Sequence, residues 1–220
     1  MPVLSIAHRA GNSLDGLKSA NQLGVDVIEC DVHEHRGRLE VRHLKTAGPL
    51  PFLWDRWELA SAQAPRLGLE ELLEADEHGT TFMLDLKGPR ASAARSVADL
   101  LHRRAHDRPV LACGRWWPSV ETVAELPFVQ AVLSARNRRE LARLLRRVAT
   151  GPPVRGVSVH LSLLDPHVVT ELHRHVEVVM TWPVNDVAAL DTALALGASG
   201  IISDEASVLA ELLSRRQTGT

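Results

Sequence analysis

The chain has 220 residues and a mass of 24.1 kDa, enough to bury one large core without disulfide staples. Hydrophobic residues make up 45% and charged residues 24%, a globular mixture that excludes a disordered chain and, with no run near the ~20 apolar residues of a spanning helix, a membrane-embedded one. Twenty-five Lys and Arg against 27 Asp and Glu leave a formal net charge of −2, so no overall field selects nucleic acid or an acidic membrane.

Cys30 and Cys113 are the two cysteines, and one possible bridge is no framework. The N-terminus carries no basic leader and only a short apolar run. Both features point to a reducing, cytoplasmic setting. The eleven histidines raise the question of where they cluster, since imidazole exchanges protons near neutral pH.

Short Val/Ile/Leu-rich runs alternate with segments of helical spacing. The first run is Val3 to Ala7, followed by a helix bearing Leu14, Leu17 and Leu23 that ends near Gly24. Val25 to Val32 is the second, with a hairpin-like return through Arg36-Gly37-Arg38 into Leu39 to His43, and then a Pro/Trp-rich loop from Pro49 to Trp57. Leu69, Leu72 and Leu73 mark a short helix closed by Gly79. Strands at Phe82 to Lys87, Pro109 to Cys113, Val129 to Ser134, Gly156 to His160, Val176 to Trp182 and Ser199 to Ser203 follow. Apolar stripes such as Ala94, Val97, Ala98 and Leu101 keep the i, i+3, i+4, i+7 pattern between them. Strand-helix alternation in eight units predicts an α/β fold, a compact single-domain (β/α)8 TIM barrel over residues 1–220, where ~250 residues are usual. An open doubly wound sheet is the alternative, weakened because no Gly-rich phosphate loop follows the first strand.

A barrel of this kind places its site at the C-terminal strand ends. His8 and Arg9, Glu29 and Asp31, His43, Asp85 and Lys87, His160, Trp182 and Asp204 fall there. Strand alternation puts Glu29 and Asp31 on one face, and Asp85 and Lys87 on one face with Met83. Three converging carboxylates repel unless compensated, and oxygen donors suit Mg2+ or Ca2+. Arg9 and Lys87 suit a phosphate, and His8 and His43 supply two proton carriers. Together these describe metal-assisted phosphodiester cleavage.

The ordered set of His8-Arg9, Glu29-x-Asp31, His43, Asp85-x-Lys87, Trp182-Pro183-Val184-Asn185 and Gly200-Ile201-Ile202-Ser203-Asp204 resembles the glycerophosphodiester phosphodiesterase family over nearly the whole chain. The resemblance implies a TIM barrel hydrolysing glycerophosphodiesters to an alcohol and sn-glycerol 3-phosphate, in glycerol and lipid metabolism. It further implies a divalent cation on Glu29, Asp31 and Asp85, His8 and His43 as catalytic acid and base, Arg9 and Lys87 on the phosphate, and Trp182 lining the pocket. Three departures stand out. His8-Arg9-Ala10-Gly11-Asn12-Ser13 lacks the family's Pro-Glu-Asn-Thr segment, which leaves Asn12 as the nearest candidate substrate contact. Leu44 follows the second histidine where Asp is usual, and Asp85 replaces Glu. The Asp-x-Lys pair and shortened loop are also similar to sphingomyelinase D-like phospholipases, and a non-catalytic phosphodiester or polyol-phosphate binding barrel is a third reading. His33 and His35 are expected to be solvated, His160 to be structural, and the run from Arg138 to Arg147 to be the wet face of a helix. The expected partner is a small-molecule phosphodiester, with no nucleic acid and no membrane span.

Overall fold

The computed structural model of the protein describes residues 2–46, 50–55, 58–89, 91–105 and 108–218. Strand β1 (Leu4–Ala7) leads through helix α1 (Leu14–Leu23) to β2 (Val27–His35), which turns back into β3 (Arg38–Val41). Three short strands follow, β4 (Lys45–Thr46), β5 (Phe52–Asp55) and β6 (Glu58–Ser61), and then α2 (Leu69–Ala75). The remainder alternates: β7 (Thr81–Leu86), α3 (Ala91–Arg104), β8 (Val110–Gly114), α4 (Trp117–Val123), β9 (Val129–Ala135) and α5 (Arg138–Thr150). It ends with β10 (Gly156–His160), α6 (Pro166–His173), β11 (Val178–Trp182), α7 (Val187–Ala195), β12 (Gly200–Ser203) and α8 (Ala206–Thr218).

The parallel strands run in the order β1-β12-β11-β10-β9-β8-β7-β2, and β1 pairs with β2 to close the ring. With one helix after each barrel strand, this is the (β/α)8 barrel that the alternation predicts. No helix among the described residues is long and apolar enough to cross a membrane.

Alternation along the strands separates two apolar layers. Ile28, Cys30 and Val32 face outward and pack with Leu17, Leu69, Leu72 and Phe82 under the helices. Ile6, Val27, Met83, Leu111, Cys113, Val132, Met180 and Ile202 fill the barrel interior. Phe82 is fully buried, so its truncation to Ala should cost about 3–5 kcal/mol. Both cysteines are free and buried, one in each layer.

The seam between β1 and β2 has only two paired positions, Ile6 with Val27 and Ala7 with Ile28. Asp26 reinforces it. Its Oδ2 accepts from Ser5 N and Oγ at 2.7 Å each, and Arg216 of α8 donates to the same oxygen at 2.6 Å. Burial works against ionisation of Asp26, but the Arg216 and Ser5 hydrogen bonds outweigh it and hold the carboxyl below its ordinary value.

Two local expectations are corrected. The stretch from Pro49 to Trp57, expected to be a loop, contains β5, which pairs antiparallel with β4 and β6; residues 49 and 56–57 lie outside the described residues. Leu53 is buried and Trp54 exposed, a strand alternation hidden by the flanking prolines. The second correction lengthens β2 to His35. Arg36 and Gly37 both have positive φ, 52° and 77°, the two left-handed positions of a tight hairpin turn. The inward face of the barrel wall therefore continues past its mouth. His33 and His35 are part-buried on it, each with a buried Nε2 that has no hydrogen-bond partner among the described residues, so these ring nitrogens are shielded from solvent, against the expectation of solvated side chains. Burial, with the nearby Arg42 charge, pushes the His33 ring down to about 3.

Candidate active site

Glu29 and Asp31 lie on the inward face of β2, and Asp85 stands beside Asp31 on β7 in register with it. One oxygen from each lies within 4.8 Å of the others. Glu29 and Asp31 are buried. Burial and the Asp31 charge push the Glu29 carboxyl well up, and its Oε2 accepts the Arg9 N–H at 2.6 Å. Arg9 adopts a left-handed backbone, φ 57° and ψ 6°, an uncommon conformation for a side-chain-bearing residue and one that collects at functional sites. It marks the bend at which the chain leaves β1 and aims this N–H at Glu29.

The short turn after Arg9 seats Asn12. Gly11 lies so close to β2 that a Cβ there would stand 2.8 Å from Cys30 Cβ. Asn12 Nδ2 donates to Asp31 Oδ2 at 2.8 Å, and Asn12 Oδ1 accepts the Asp31 N–H at 2.8 Å. Both polar ends of this amide are thus engaged by Asp31.

Lys87 Nζ lies 2.5 Å from Asp31 Oδ1 and also donates to Asp85 Oδ2. Burial opposes its charge, but the Asp85 and Asp31 carboxylates more than compensate and raise it. Burial likewise opposes Asp31 ionisation, and the His43 hydrogen bond and Lys87 charge hold that carboxyl well below the usual range. The donor set is all oxygen with excess negative charge, the chemistry a hard divalent cation requires, so these residues fit Mg2+ or Ca2+. The Lys87 ammonium is the cation they gather here.

The histidines flank this cluster. His8 follows β1, its N–H held by Ser203 O at 2.9 Å. Its Nδ1 lies 2.7 Å from Asp204 Oδ1, and its Nε2 4.0 Å from Glu29 Oε2. Burial opposes protonation of His8, but the Asp204 hydrogen bond and the Glu29 and Asp204 charges raise the ring above its ordinary value. Asp204, drawn down to about 2 by His8, is itself held by Asn185, whose Nδ2 donates to Oδ2 at 3.1 Å and whose Oδ1 accepts the Asp204 N–H at 3.0 Å. His43, beyond β3, has Nδ1 3.2 Å from Asp31 Oδ2 and Nε2 2.8 Å from Asp55 Oδ2. Just before it, a buried pair of Glu40 Oε2 and Arg42 Nε at 2.8 Å steadies the segment, and Arg42 also donates to Leu44 O.

Trp182 caps the barrel interior and meets His160 edge-on, ring centroids 5.0 Å apart. The His160 Nδ1 lies 2.9 Å from Ser162 Oγ, a hydrogen-bonded ring at the mouth.

No family model matches the sequence, and no curated protein matches it. Solved structures do. The chain is similar to a protein from Agrobacterium tumefaciens provisionally named a glycerophosphoryl diester phosphodiesterase, with TM-score 0.81, 14% identity, and 99% of this chain and 100% of that chain covered. It is similar to an Oleispira antarctica phosphodiesterase solved with the product sn-glycerol-3-phosphate, with TM-score 0.76, 18% identity and 96% of each chain covered. A glycerophosphodiester phosphodiesterase from Thermotoga maritima matches at TM-score 0.74 and 16% identity, covering 96% of this chain and 99% of that one. The likeness is one of fold.

All of His8, Arg9, Asn12, Glu29, Asp31, His43, Asp85 and Lys87 lie at one mouth, joined by the contacts above, and Trp182 stands on the same rim across the barrel. The geometry adds Asp55, and it gives partners to Asp204, placed at the mouth by its strand end, and to Asn185. Asp204 and Asn185 lay within the resembling segments, and two residues beyond the inward Ile202 is the phase that turns Asp204 toward His8. Asp55 carries no signal of its own in the sequence, because the prolines around β5 mask that strand.

Proposed function

We propose that the protein is a phosphoric diester hydrolase, one barrel domain that cleaves glycerophosphodiesters to an alcohol and sn-glycerol 3-phosphate with a divalent cation on Glu29, Asp31 and Asp85. The observation that carries this reading is an all-oxygen acidic triad at the same mouth as two imidazoles, each oriented by carboxylates. A protein that only binds a diester needs no pair of oriented proton carriers. The fold shared with a phosphodiesterase solved with sn-glycerol-3-phosphate adds support. Free, buried Cys30 and Cys113 support a reducing, cytoplasmic setting.

A bound cation would supply neutralisation of the phosphoryl oxygens. The rest is done by the chain. Asp204 holds the hydrogen of His8 on Nδ1, leaving the Nε2 lone pair to take a proton from the attacking water as its oxygen bonds to phosphorus and the bond from phosphorus to the alcohol oxygen breaks. His43, between Asp31 and Asp55 at the same mouth, takes the part of proton donor to the leaving alcohol. Arg9 and Lys87 offset phosphate charge, Trp182 lines the pocket, and Asn12 fixes Asp31.

Product analysis tests this. Glycerophosphodiesters and lysophospholipids are incubated with Mg2+, Ca2+ or EDTA, and sn-glycerol 3-phosphate plus the free alcohol should form from the former with cation only. Head-group release from lysophospholipids alone would favour the sphingomyelinase D-like reading. Binding of diesters without turnover of either class would favour the binding barrel.

A further inference from the structure

A cavity of about 370 Å3 adjoins the reaction centre, lined by Arg9, Asn12, Arg42, His43 and Arg66, with apolar residues around them. Among the described residues its wall carries three guanidinium groups and an imidazole, and no carboxylate. Arg42 is neutralised by Glu40 at 2.8 Å, which leaves Arg9 and Arg66 to set the charge of the space. Arg9 Nε is buried, 3.9 Å from Asp31 Oδ2, and makes no hydrogen bond among the described residues. Arg66 Nη2 donates to Ser61 O at 3.3 Å, while its Nε is buried with no partner among the described residues. Among the described residues no carboxylate pairs with Arg66.

A buried guanidinium N–H without an acceptor is costly to leave unmade, and a planar donor fork matches an oxyanion. Arg9 and His43 belong to both the cavity and the reaction centre. Arg66 belongs to the cavity and to none of the contacts that build the acidic triad. A diester whose phosphate is engaged at the centre would therefore extend a substituent past Arg9 and His43 toward Arg66.

We propose that this cavity receives a second anionic group of the substrate, a phosphate or carboxylate carried on the diester, and that Arg66 makes the protein prefer anionic glycerophosphodiesters over neutral ones. The inference rests on the phosphodiesterase reading and names the substrate class within it. A neutral head group would leave the Arg66 donor unsatisfied, whereas an oxyanion would satisfy it; selectivity then follows from the difference.

The test compares kcat/KM for glycerophosphoglycerol and for the same diester bearing a terminal phosphate, with one fixed divalent cation. A charge-assisted hydrogen bond predicts a ratio of roughly ten- to hundredfold in favour of the phosphorylated diester. The ratio should fall toward one in Arg66→Ala, be partly kept in Arg66→Lys, and turn against the anion in Arg66→Glu, an inversion that a structural role would not produce. A wild-type ratio at or below one, or a ratio unmoved in folded Arg66→Ala and Arg66→Glu, overturns the proposal. If neither diester is cleaved with any cation, the phosphodiesterase reading fails on its own, and calorimetric titration of both diesters in EDTA decides the cavity. Tighter binding of the phosphorylated diester, weakened at least tenfold in Arg66→Ala, supports it, and equal binding overturns it. Inorganic phosphate is the third arm. Should it bind in an Arg66-dependent way while the two diesters bind equally, the cavity serves a free anion and the substrate assignment is wrong.

Discussion

Asn12 grips Asp31 at two points, donating to its carboxylate and accepting its backbone N–H, each at 2.8 Å. Only an amide in this position does both. Asn12→Ala leaves a buried N–H unpaired and removes one restraint on a carboxylate assigned to the cation. We expect a loss of about 1–3 kcal/mol in stability and a roughly 10- to 100-fold weaker cation affinity. Thermal melts and a Mg2+ or Ca2+ titration read the two effects. A variant that binds cation as wild type, but with a raised KM, would return Asn12 to the role of substrate contact expected from its position in the shortened loop.

The Lys87 ammonium sits between Asp31 and Asp85, so cation binding and this ion pair are coupled. EDTA should abolish turnover, and Asp31→Asn should weaken the cation by replacing a charged ligand with a neutral one. Lys87→Met should lose turnover yet not lose cation affinity, because removing a competing positive charge leaves the carboxylates more negative. Full activity in chelator would refute the cation assignment.

How much of this was legible in the sequence depends on distance along the chain. The barrel was, because each strand-helix unit states its own period. The inward face of β2 was as well, since Glu29 and Asp31 are two residues apart and β2 is regular. Long-range pairings were not: His8 to Asp204 spans 196 positions, and nothing local to either reports it. Asp55 was hidden twice, first by the proline-rich surroundings of β5 and then by the antiparallel excursion that carries it to His43. The part-burial of His33 is not legible either, because alternation gives the face of a residue but not what covers that face beyond the barrel rim.

The Asp26 clamp gives a pH-dependent stability prediction. Its carboxyl is depressed in the folded protein despite partial burial, through Arg216 and Ser5. A depressed carboxyl stabilises the fold above its unfolded value, here 3.8, and that contribution is lost as pH falls through the lower folded value. Asp26→Asn should therefore lower stability at pH 7, and the gap to wild type should close as pH drops below about 4. Denaturant unfolding at several pH values measures it, and a gap constant down to pH 3 would show that the charge of Asp26 is not what holds the seam.

The last prediction separates the two histidines by their partners. Removing either proton carrier should cost roughly 10²- to 10⁴-fold in kcat/KM, and His8→Ala/His43→Ala should lose far less than the product of the single losses, because both act in one step. Asp204 raises the His8 ring by its hydrogen bond and charge. In Asp204→Asn that support is gone, so the limb of the pH profile that belongs to His8 should move to lower pH while the other limb stays. With His8 as the base, the limb that moves is the acidic one. Asp55→Asn acts on His43 instead and should leave the acidic limb in place. Leaving groups give the independent check: an activated aryl ester departs without an acid, so His43→Ala should recover activity on it and His8→Ala should not. Recovery by His8→Ala instead, together with movement of the alkaline limb in Asp204→Asn, would exchange the two roles while keeping the pair; a loss of only a few-fold in both single variants on the natural diester would remove the pair from the chemistry.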